Sequence, residues 1–338
     1  MEFYEINSFH SMSQISVKPE DLFLDPNNPR ITVMSGDDTY YSEQETISPR
    51  VQNSILKKIN NDQNHITDIK ESILSTGFNA NLGPFIVKNV APNKYMVLEG
   101  NRRLSAIKSI LKGGGNIPES IIAGLKEIKV SLFKYKKNDN FSEEEIIDII
   151  LSKIHISGPL SWGAMEKAHY VYNSYIRSFH KITGVAVTES NFSISKKVVE
   201  EVSSLYSFKQ SEIRKSIQVY KIYKQLRDAD YDVDTKRFTL IELAISDAHL
   251  RSEYFELGEQ CVFSNAGLDR FYELCVVEDC PVSNPDLFRR FAFISKKGGS
   301  EYVRQVESRS RSIEEVYAEV HAREGANQLN KMLQAIYK

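Results

Sequence analysis

The residues best suited to chemistry are two adjacent arginines, Arg102 and Arg103, that follow a glycine, Gly100. Positions 95–98 before them are apolar and favour a β-strand, while apolar residues recur with helical spacing from Leu104 onward. Glycine adopts backbone conformations that other residues resist, so the pattern predicts a strand, a tight turn and a helix. The N–H groups at a helix start and the forked donors of arginine both favour an anion, which makes this turn a candidate phosphate site.

A purely structural interpretation of the same residues is available. A strand-to-helix corner can carry arginines that pair with nearby carboxylates, and short motifs match by chance often. Both interpretations stay open on this stretch alone.

A second polar box lies upstream, where Asn28, Pro29 and Arg30 follow a short apolar run. The prolines exclude a helix around Asn28 and predict extended chain there. A predicted helix that stops at Gly77 and a buried strand come next, ahead of the arginine turn. With its boxes and elements in this order, the chain resembles the N-terminal domain of the ParB/sulfiredoxin superfamily over residues 15–136.

The resemblance implies a nucleotide site. In that family the two boxes lie together around nucleotide phosphates; ParB proteins bind CTP there, and relatives use ATP. The implied cofactor is therefore a nucleoside triphosphate, CTP or ATP, with Mg²⁺. The residues that match the two boxes, and so form the predicted phosphate-binding set, are Asn28, Arg30, Gly100, Asn101, Arg102 and Arg103.

The second box departs from the family at one position. ParB proteins usually have a glutamate where this chain has Asn101, and a neutral amide cannot act as a general base or attract a metal as a carboxylate does. Phosphate binding is thus better supported than hydrolysis. Sulfiredoxin has a nucleophilic cysteine at this position, so its chemistry is excluded. Glu99 and Asn101 remain catalytic candidates without an assigned role.

A polar insertion at 35–64 is the other departure, because it is much longer than the usual connection. A loop of that length is expected to be mobile or functional. It contains Asp37, Asp38 and Glu43, which could supply the carboxylates that Asn101 does not.

Composition predicts a protein of more than one domain with no membrane partner. The chain has 338 residues, and its 43 Lys and Arg nearly balance its 45 Asp and Glu. Cys261, Cys275 and Cys280 form no metal-binding pattern, so we expect no structural metal, reduced thiols and a cytoplasmic location. The longest apolar run, 146–151, is too short and too acidic to span a bilayer.

Helical periodicity dominates after residue 137. We predict a fold of the α+β class: a small mixed-sheet ParB/sulfiredoxin-like domain over 1–137, a helical domain over 141–228, and a helical C-terminal region over 229–338. In that last region Gly325 is predicted to end one helix. The amphipathic helix that follows could finish the core or pack against a second copy, giving a homodimer.

The spacing between 196 and 220 suits a helix-turn-helix, in which the small Ser203 lets two helices approach and Ser207 replaces the usual turn glycine. An ordinary solvated helix face gives the same pattern, but ParB proteins have their helix-turn-helix immediately after the N-terminal domain, which favours DNA contact. The predicted DNA-binding residues of the second helix are Lys209, Gln210, Ser211, Arg214, Lys215 and Gln218.

These observations favour a ParB-like DNA-binding protein that responds to a nucleotide. An enzyme is the first alternative, because superfamily relatives include nucleotide hydrolases and nucleases. The second is an adaptor of a phage-defence or plasmid-borne system, which keeps the phosphate geometry without turnover.

Overall fold

The computed structural model describes residues 6–35, 39–60, 66–78, 83, 85–113, 117–155, 162–188, 190–206 and 208–336. Contacts divide the chain into two compact units, Met1–Gly163 (unit 1) and Ala164–Lys338 (unit 2). Within the described ranges, no helix is both long and apolar enough to cross a membrane.

Unit 1 is built on a five-stranded mixed sheet in the order β1-β5-β3-β4-β2. The β5–β3 and β4–β2 pairs are parallel, and the β1–β5 and β3–β4 pairs are antiparallel. The strands are β1 (His10–Val17), β2 (Leu22–Leu24), β3 (Ile86–Ala91), β4 (Lys94–Glu99) and β5 (Ile128–Tyr135). The helices are α1 (Pro29–Ser35), α2 (Glu43–Thr46), α3 (Pro49–Ile59), α4 (Ile66–Thr76), α5 (Asn101–Lys112), α6 (Glu119–Leu125) and α7 (Glu143–His155).

Helices cover both faces of this sheet, which explains why β4 is apolar at consecutive positions. Val97 belongs to a core that includes Leu104 and Ile107 of α5. Leu98, the next residue along the strand, lies instead beside Ile147 of α7. Because successive strand residues alternate between faces, a strand that is buried on both sides has no polar face. Glu99, the last residue of β4, is buried as well.

The polar insertion forms helices over its described part rather than the loop that its length suggested. α3 lies along β2, where the side-chain amide of Gln52 accepts a hydrogen bond from the Leu24 N–H (2.9 Å) and donates one to the Leu24 carbonyl (2.8 Å). Gln52 thereby satisfies the backbone of an edge strand as a neighbouring strand would. Asp37 and Asp38 lie outside the described residues.

α7 belongs to unit 1, whereas the sequence pattern placed it in the second domain, 141–228. Its first residue, Glu143, lies 3.5 Å from the buried ammonium group of Lys88 on β3, and its last, His155, bonds Glu99 on β4. The sequence boundary followed the change from strand to helix, but the packing boundary comes later, after Gly163.

Unit 2 is helical, as predicted, so the α+β class with a mixed-sheet domain and a helical remainder is confirmed. The pattern also located the two helices of the predicted helix-turn-helix, which are α9 and α10. The helices of unit 2 are α8 (Ala164–Thr183), α9 (Lys196–Tyr206), α10 (Gln210–Asp228), α11 (Phe238–Ser246), α12 (Asn265–Cys275), α13 (Pro285–Lys297), α14 (Ser300–Glu307) and α15 (Ile313–Ile336).

The predicted helix end at Gly325 is wrong, because α15 continues through it to Ile336. A glycine inside a helix costs only about 1 kcal/mol relative to alanine, which the flanking helix formers outweigh. Beyond Gly325, Leu329 and Met332 are 59% and 66% exposed, so the apolar residues of the predicted amphipathic stretch lie on the surface of unit 2. The homodimer stays a prediction.

Candidate functional site

Both sequence boxes of unit 1 line one cavity of about 290 Å³. The start of α1, the inner face of α4, the β4–α5 turn and the end of α7 surround it. All six residues of the predicted phosphate-binding set are among its walls, although they come from sequence positions about seventy residues apart. The set consists of Asn28, Arg30, Gly100, Asn101, Arg102 and Arg103.

The turn between β4 and α5 depends on Gly100, which has a φ of +110°. A Cβ at this position would stand 3.2 Å from the Phe85 ring and 3.3 Å from the Arg103 guanidinium, so any other residue at position 100 would have a strained backbone and tight side-chain contacts. Gly100 is also the N-cap residue of α5. Glycine has no side chain that could cap the helix, and the residues of the first turn of α5 line the cavity, where a helix start favours an anion.

Asn28 and Arg30 come from the start of α1. The prediction that Asn28 is not helical is confirmed, but α1 begins immediately after it, at Pro29, where extended chain was expected. Asn28 is buried, and its side-chain oxygen accepts a hydrogen bond from the Arg30 N–H at 3.1 Å. Proline suits the first helical position, and Asn28 acts as the cap, so the box orients the half-buried Arg30 at a helix start.

Asn101, the position of the family glutamate, lines the cavity but uses its amide elsewhere. Its side-chain oxygen accepts a hydrogen bond from the Asp25 N–H and its amide nitrogen donates to the Val97 carbonyl, both at 2.9 Å. The side chain therefore joins the end of β2 to β4 through both ends of its amide. The structure thus gives Asn101 a structural task.

Arg103 is held from three directions. Its guanidinium donates to the Gly83 carbonyl at 3.0 Å, lies 3.5 Å from a Glu99 oxygen, and sits over the Phe85 ring with its central carbon 5.2 Å from the ring centroid. Burial and the neighbouring Arg102 lower the pKa of Arg103, while Glu99 acts in the opposite direction. The carboxylate-pairing interpretation is therefore correct for Arg103, which also stays on the cavity wall.

Two residues that the sequence analysis missed complete the polar part of the cavity wall. His155, at the end of α7, brings its Nε2 to 2.6 Å from a carboxylate oxygen of Glu99. Its ring stacks on Trp162, with centroids 4.5 Å apart and planes at 14°. His155 and Trp162 are buried and line the same cavity as the arginines. No local pattern could show this, because His155 is separated from Glu99 by 56 positions.

Part of the cavity wall is apolar. Ile69 and Ile73 of α4 line it together with Ile59 of α3 and Phe78, with Asp68 and Ser72 as polar exceptions. The cavity thus combines the arginines of the two boxes with an apolar surface that α4 supplies.

The implied Mg²⁺ finds no ligand cluster in the described part of the chain. No group of three or more His, Cys, Asp or Glu side chains there could hold a metal ion. Of the two carboxylates in the cavity, that of Glu99 is bonded to His155. The residues do not fit a metal held by the protein alone.

Glu43 does not supply a carboxylate to the cavity either. It pairs at 2.5 Å with Lys88, whose side chain is only 8% exposed. Burial disfavours the charged form of Lys88, but the bond to Glu43 and the charge of Glu143 raise its pKa. Burial raises the pKa of the nearby Asp25 to about 6. The pairs that Lys88 makes with Glu43 and Glu143 connect α2 and α7 to β3.

The candidate DNA-binding residues lie at the start of α10 and along it. Lys209, Gln210, Ser211 and Lys215 are exposed, while Arg214 and Gln218 are half-buried. Lys215 pairs with Glu242 at 2.8 Å, and Gln218 contributes a hydrogen bond to the Cys261 thiol. Ser203 of α9 donates to the carbonyl of Phe208, which precedes α10, at 2.6 Å; Ser207 lies outside the described residues.

Comparison with known proteins gives matches among solved structures. No family model matches the chain, and no curated protein matches it. A Pnob8-like ParB-N domain is 12% identical, with 88% of this chain and 93% of that chain covered and a TM-score of 0.39. The C-terminally truncated chromosome-partitioning protein ParB from Caulobacter crescentus, in complex with CTP-γ-S, is 13% identical, with coverages of 71% and 91% and a TM-score of 0.23. The chain is similar to these solved ParB structures, which bear the name of the family that its two boxes resemble.

Proposed function

We propose that unit 1 of this ParB-like chain binds a nucleoside triphosphate, with the phosphates at the β4–α5 turn. The observation that carries the proposal is the convergence of Arg30, Arg102 and Arg103 on one cavity at the start of α5, whose N-cap residue is Gly100. Arginine forks and helix-start N–H groups are the donors that phosphate oxygens prefer.

The shape of the cavity supports a nucleotide over a simple anion. Its volume of about 290 Å³ is near the lower bound of small-molecule sites, which is about 300 Å³. The isoleucines of α4 and Phe78 offer an apolar surface for a base in the same cavity as the arginines. Since a structure with CTP-γ-S is among the solved ParB structures, CTP is the first nucleotide to test and ATP the second.

Calorimetric titration with CTP, ATP, GTP and UTP tests this proposal. We expect one nucleotide to bind, and its monophosphate to bind more weakly because fewer phosphate oxygens reach the arginines. A variant of an exposed arginine outside the cavity, Arg50→Ala, is the matched control and should bind as the parent does. A parent that binds none of the four nucleotides would refute the proposal.

We also propose that unit 2 binds DNA through α10. Its support is the exposure of Lys209 and Lys215 at the start of a helix that follows a short turn from α9. Cations on such a face neutralise phosphates, and each duplex phosphate contact adds about 0.9 to the slope of log affinity against log salt.

Fluorescence-anisotropy titrations at several salt concentrations test the DNA role. A triple Ala variant of Lys209, Arg214 and Lys215 should flatten the salt slope by up to about three units. Gln210→Ala should instead weaken discrimination between sequences and leave the slope nearly unchanged. The control removes the same charge from exposed positions elsewhere in unit 2, namely Arg289, Lys296 and Arg304. Equal slopes for the two triple variants would show that α10 is an ordinary solvated helix.

A further inference from the structure

A buried carboxylate in an anion-binding cavity needs a physical explanation. Glu99 is 9% exposed and lines the same walls as the three arginines. Its negative charge opposes a bound phosphate, and the repulsion is strong where water is largely excluded. A site selected for phosphate affinity alone would be better without it. Glu99 can hold Arg103 in place, but its contact with that guanidinium is long, at 3.5 Å.

The shorter contact of Glu99 is with His155. The 2.6 Å bond from the Glu99 carboxylate to Nε2 of His155 fixes one carboxylate oxygen, and the stack on Trp162 fixes the imidazole. Carboxylate and imidazole pairs of this kind hold a catalytic group in one orientation. His155 is on α7 and Glu99 on β4, so two separate elements maintain the pair in the cavity wall, beside Arg103.

We propose that Glu99 is the general base of a nucleotide hydrolase, with His155 as its positioning residue. This inference rests on the proposed nucleotide site and adds turnover to it. It also replaces the expectation of slow or absent hydrolysis, which followed from Asn101 alone. The amide at position 101 joins two strands, and the carboxylate of the site is two positions earlier.

The reaction is hydrolysis of the terminal phosphoanhydride. Glu99 accepts a proton from a water molecule, whose oxygen forms a bond to the terminal phosphorus. The bond from that phosphorus to the bridging oxygen breaks, and its electron pair remains on the nucleoside diphosphate. Arg102 and Arg103 stabilise the charge that develops on the phosphate oxygens. The products are a nucleoside diphosphate and inorganic phosphate, and Glu99 returns its proton to solvent.

Phosphate release from the nucleotide that binds best, supplied as its magnesium salt with and without duplex DNA, tests the proposal. We expect turnover by the parent in at least one of the two conditions. Glu99→Gln keeps the size of the side chain and an acceptor for His155 but removes the base, so it should lower kcat about 100-fold or more. Its affinity for a β,γ-imido analogue should equal or exceed that of the parent, since a negative charge is gone. Glu127→Gln, an exposed control, should change neither quantity.

The positioning role has its own comparison. His155→Gln keeps an N–H donor for Glu99, whereas His155→Ala does not, and both lose the stack on Trp162. Higher kcat in the Gln variant than in the Ala variant, at equal affinity for the analogue, supports positioning. Equal kcat in the two variants overturns that role, because a purely structural contribution would be lost in both.

The outcomes separate the two proposals. A parent that binds nucleotide but releases no phosphate with or without DNA overturns the hydrolase and leaves nucleotide binding intact. Turnover that survives Glu99→Gln assigns the chemistry to another group. If Glu99→Gln does not fold, Glu99→Asp provides the test. This variant keeps the negative charge, but its side chain is one methylene shorter, so the carboxylate lies farther from the attacking water. An undiminished kcat in that variant also overturns the proposal. A parent that binds no nucleotide refutes both.

Discussion

Replacing Arg102 by alanine should weaken nucleotide binding without unfolding unit 1. Arg102 is half-buried, lines the cavity, and belongs to the first turn of α5, where the helix start already favours an anion. Its charge lies close enough to Arg103 to lower the pKa of that residue. Removing it also relieves a like-charge repulsion, and we expect the unbound variant to stay folded.

The size of the effect follows from the bonds that are lost. A hydrogen bond to a charged group contributes about 1.5–3 kcal/mol, and about 1.4 kcal/mol corresponds to a tenfold change in Kd. Loss of one such bond predicts a rise in Kd of about 10-fold to 150-fold, and solvent screening of a half-buried group favours the lower part of that range. Arg102→Lys keeps the charge but not the fork, so its Kd should lie between those of the Ala variant and the parent.

Isothermal calorimetry at fixed salt measures the Kd of each variant, and a melting curve shows whether the variant is folded. Arg50→Ala serves again as the control for a removed surface charge. An Arg102→Ala variant that is folded and binds as tightly as the parent would show that the phosphates do not lie at the start of α5. The arginines would then contribute only to the structure of the corner between β4 and α5.

Two further predictions concern buried groups beside the cavity. Asn101→Glu cannot donate to the Val97 carbonyl, so it should destabilise unit 1 by about 1–3 kcal/mol in urea denaturation and should not raise phosphate release; a stable variant with faster turnover would contradict this. Burial raises the pKa of Asp25 from 3.8 to about 6, so the folded state loses stability as pH rises through this interval. At about 1.4 kcal/mol for each unit of pKa shift, the total loss is about 3 kcal/mol. Asp25→Asn should therefore be more stable than the parent at pH 8 and equal to it near pH 4, and the opposite pH dependence would refute the assignment.

Local sequence rules predicted the central part of the site because its residues are close in the chain. The strand, the glycine turn and the helix around Gly100 form as expected, since each depends on residues within one or two turns. In unit 2 the same local rules located the two helices between 196 and 220, α9 and α10, from their apolar spacing. They were wrong at Gly325, through which α15 continues.

Features that depend on packing could not be predicted in this way. Nothing near Gln52 in the sequence indicates that its amide completes the edge of β2, because the two meet only after α3 has folded back. The same holds for α7: its residues predict a helix, but its assignment to unit 1 depends on a buried lysine and a glutamate from strands far upstream. The helices of the insertion and the place of α7 in unit 1 both depend on such long-range contacts.

Asn101 shows how a motif position can mislead when its bonds are unknown. The family comparison treats this position as the acid of the second box, and its amide therefore suggests a site without turnover. In this chain the position must both accept from the Asp25 N–H and donate to the Val97 carbonyl, and a carboxylate can do only the first. An amide at 101 therefore follows from the way β2 is joined to β4 and says nothing about catalysis. The group to examine for chemistry is then the carboxylate that His155 holds inside the cavity, which is Glu99.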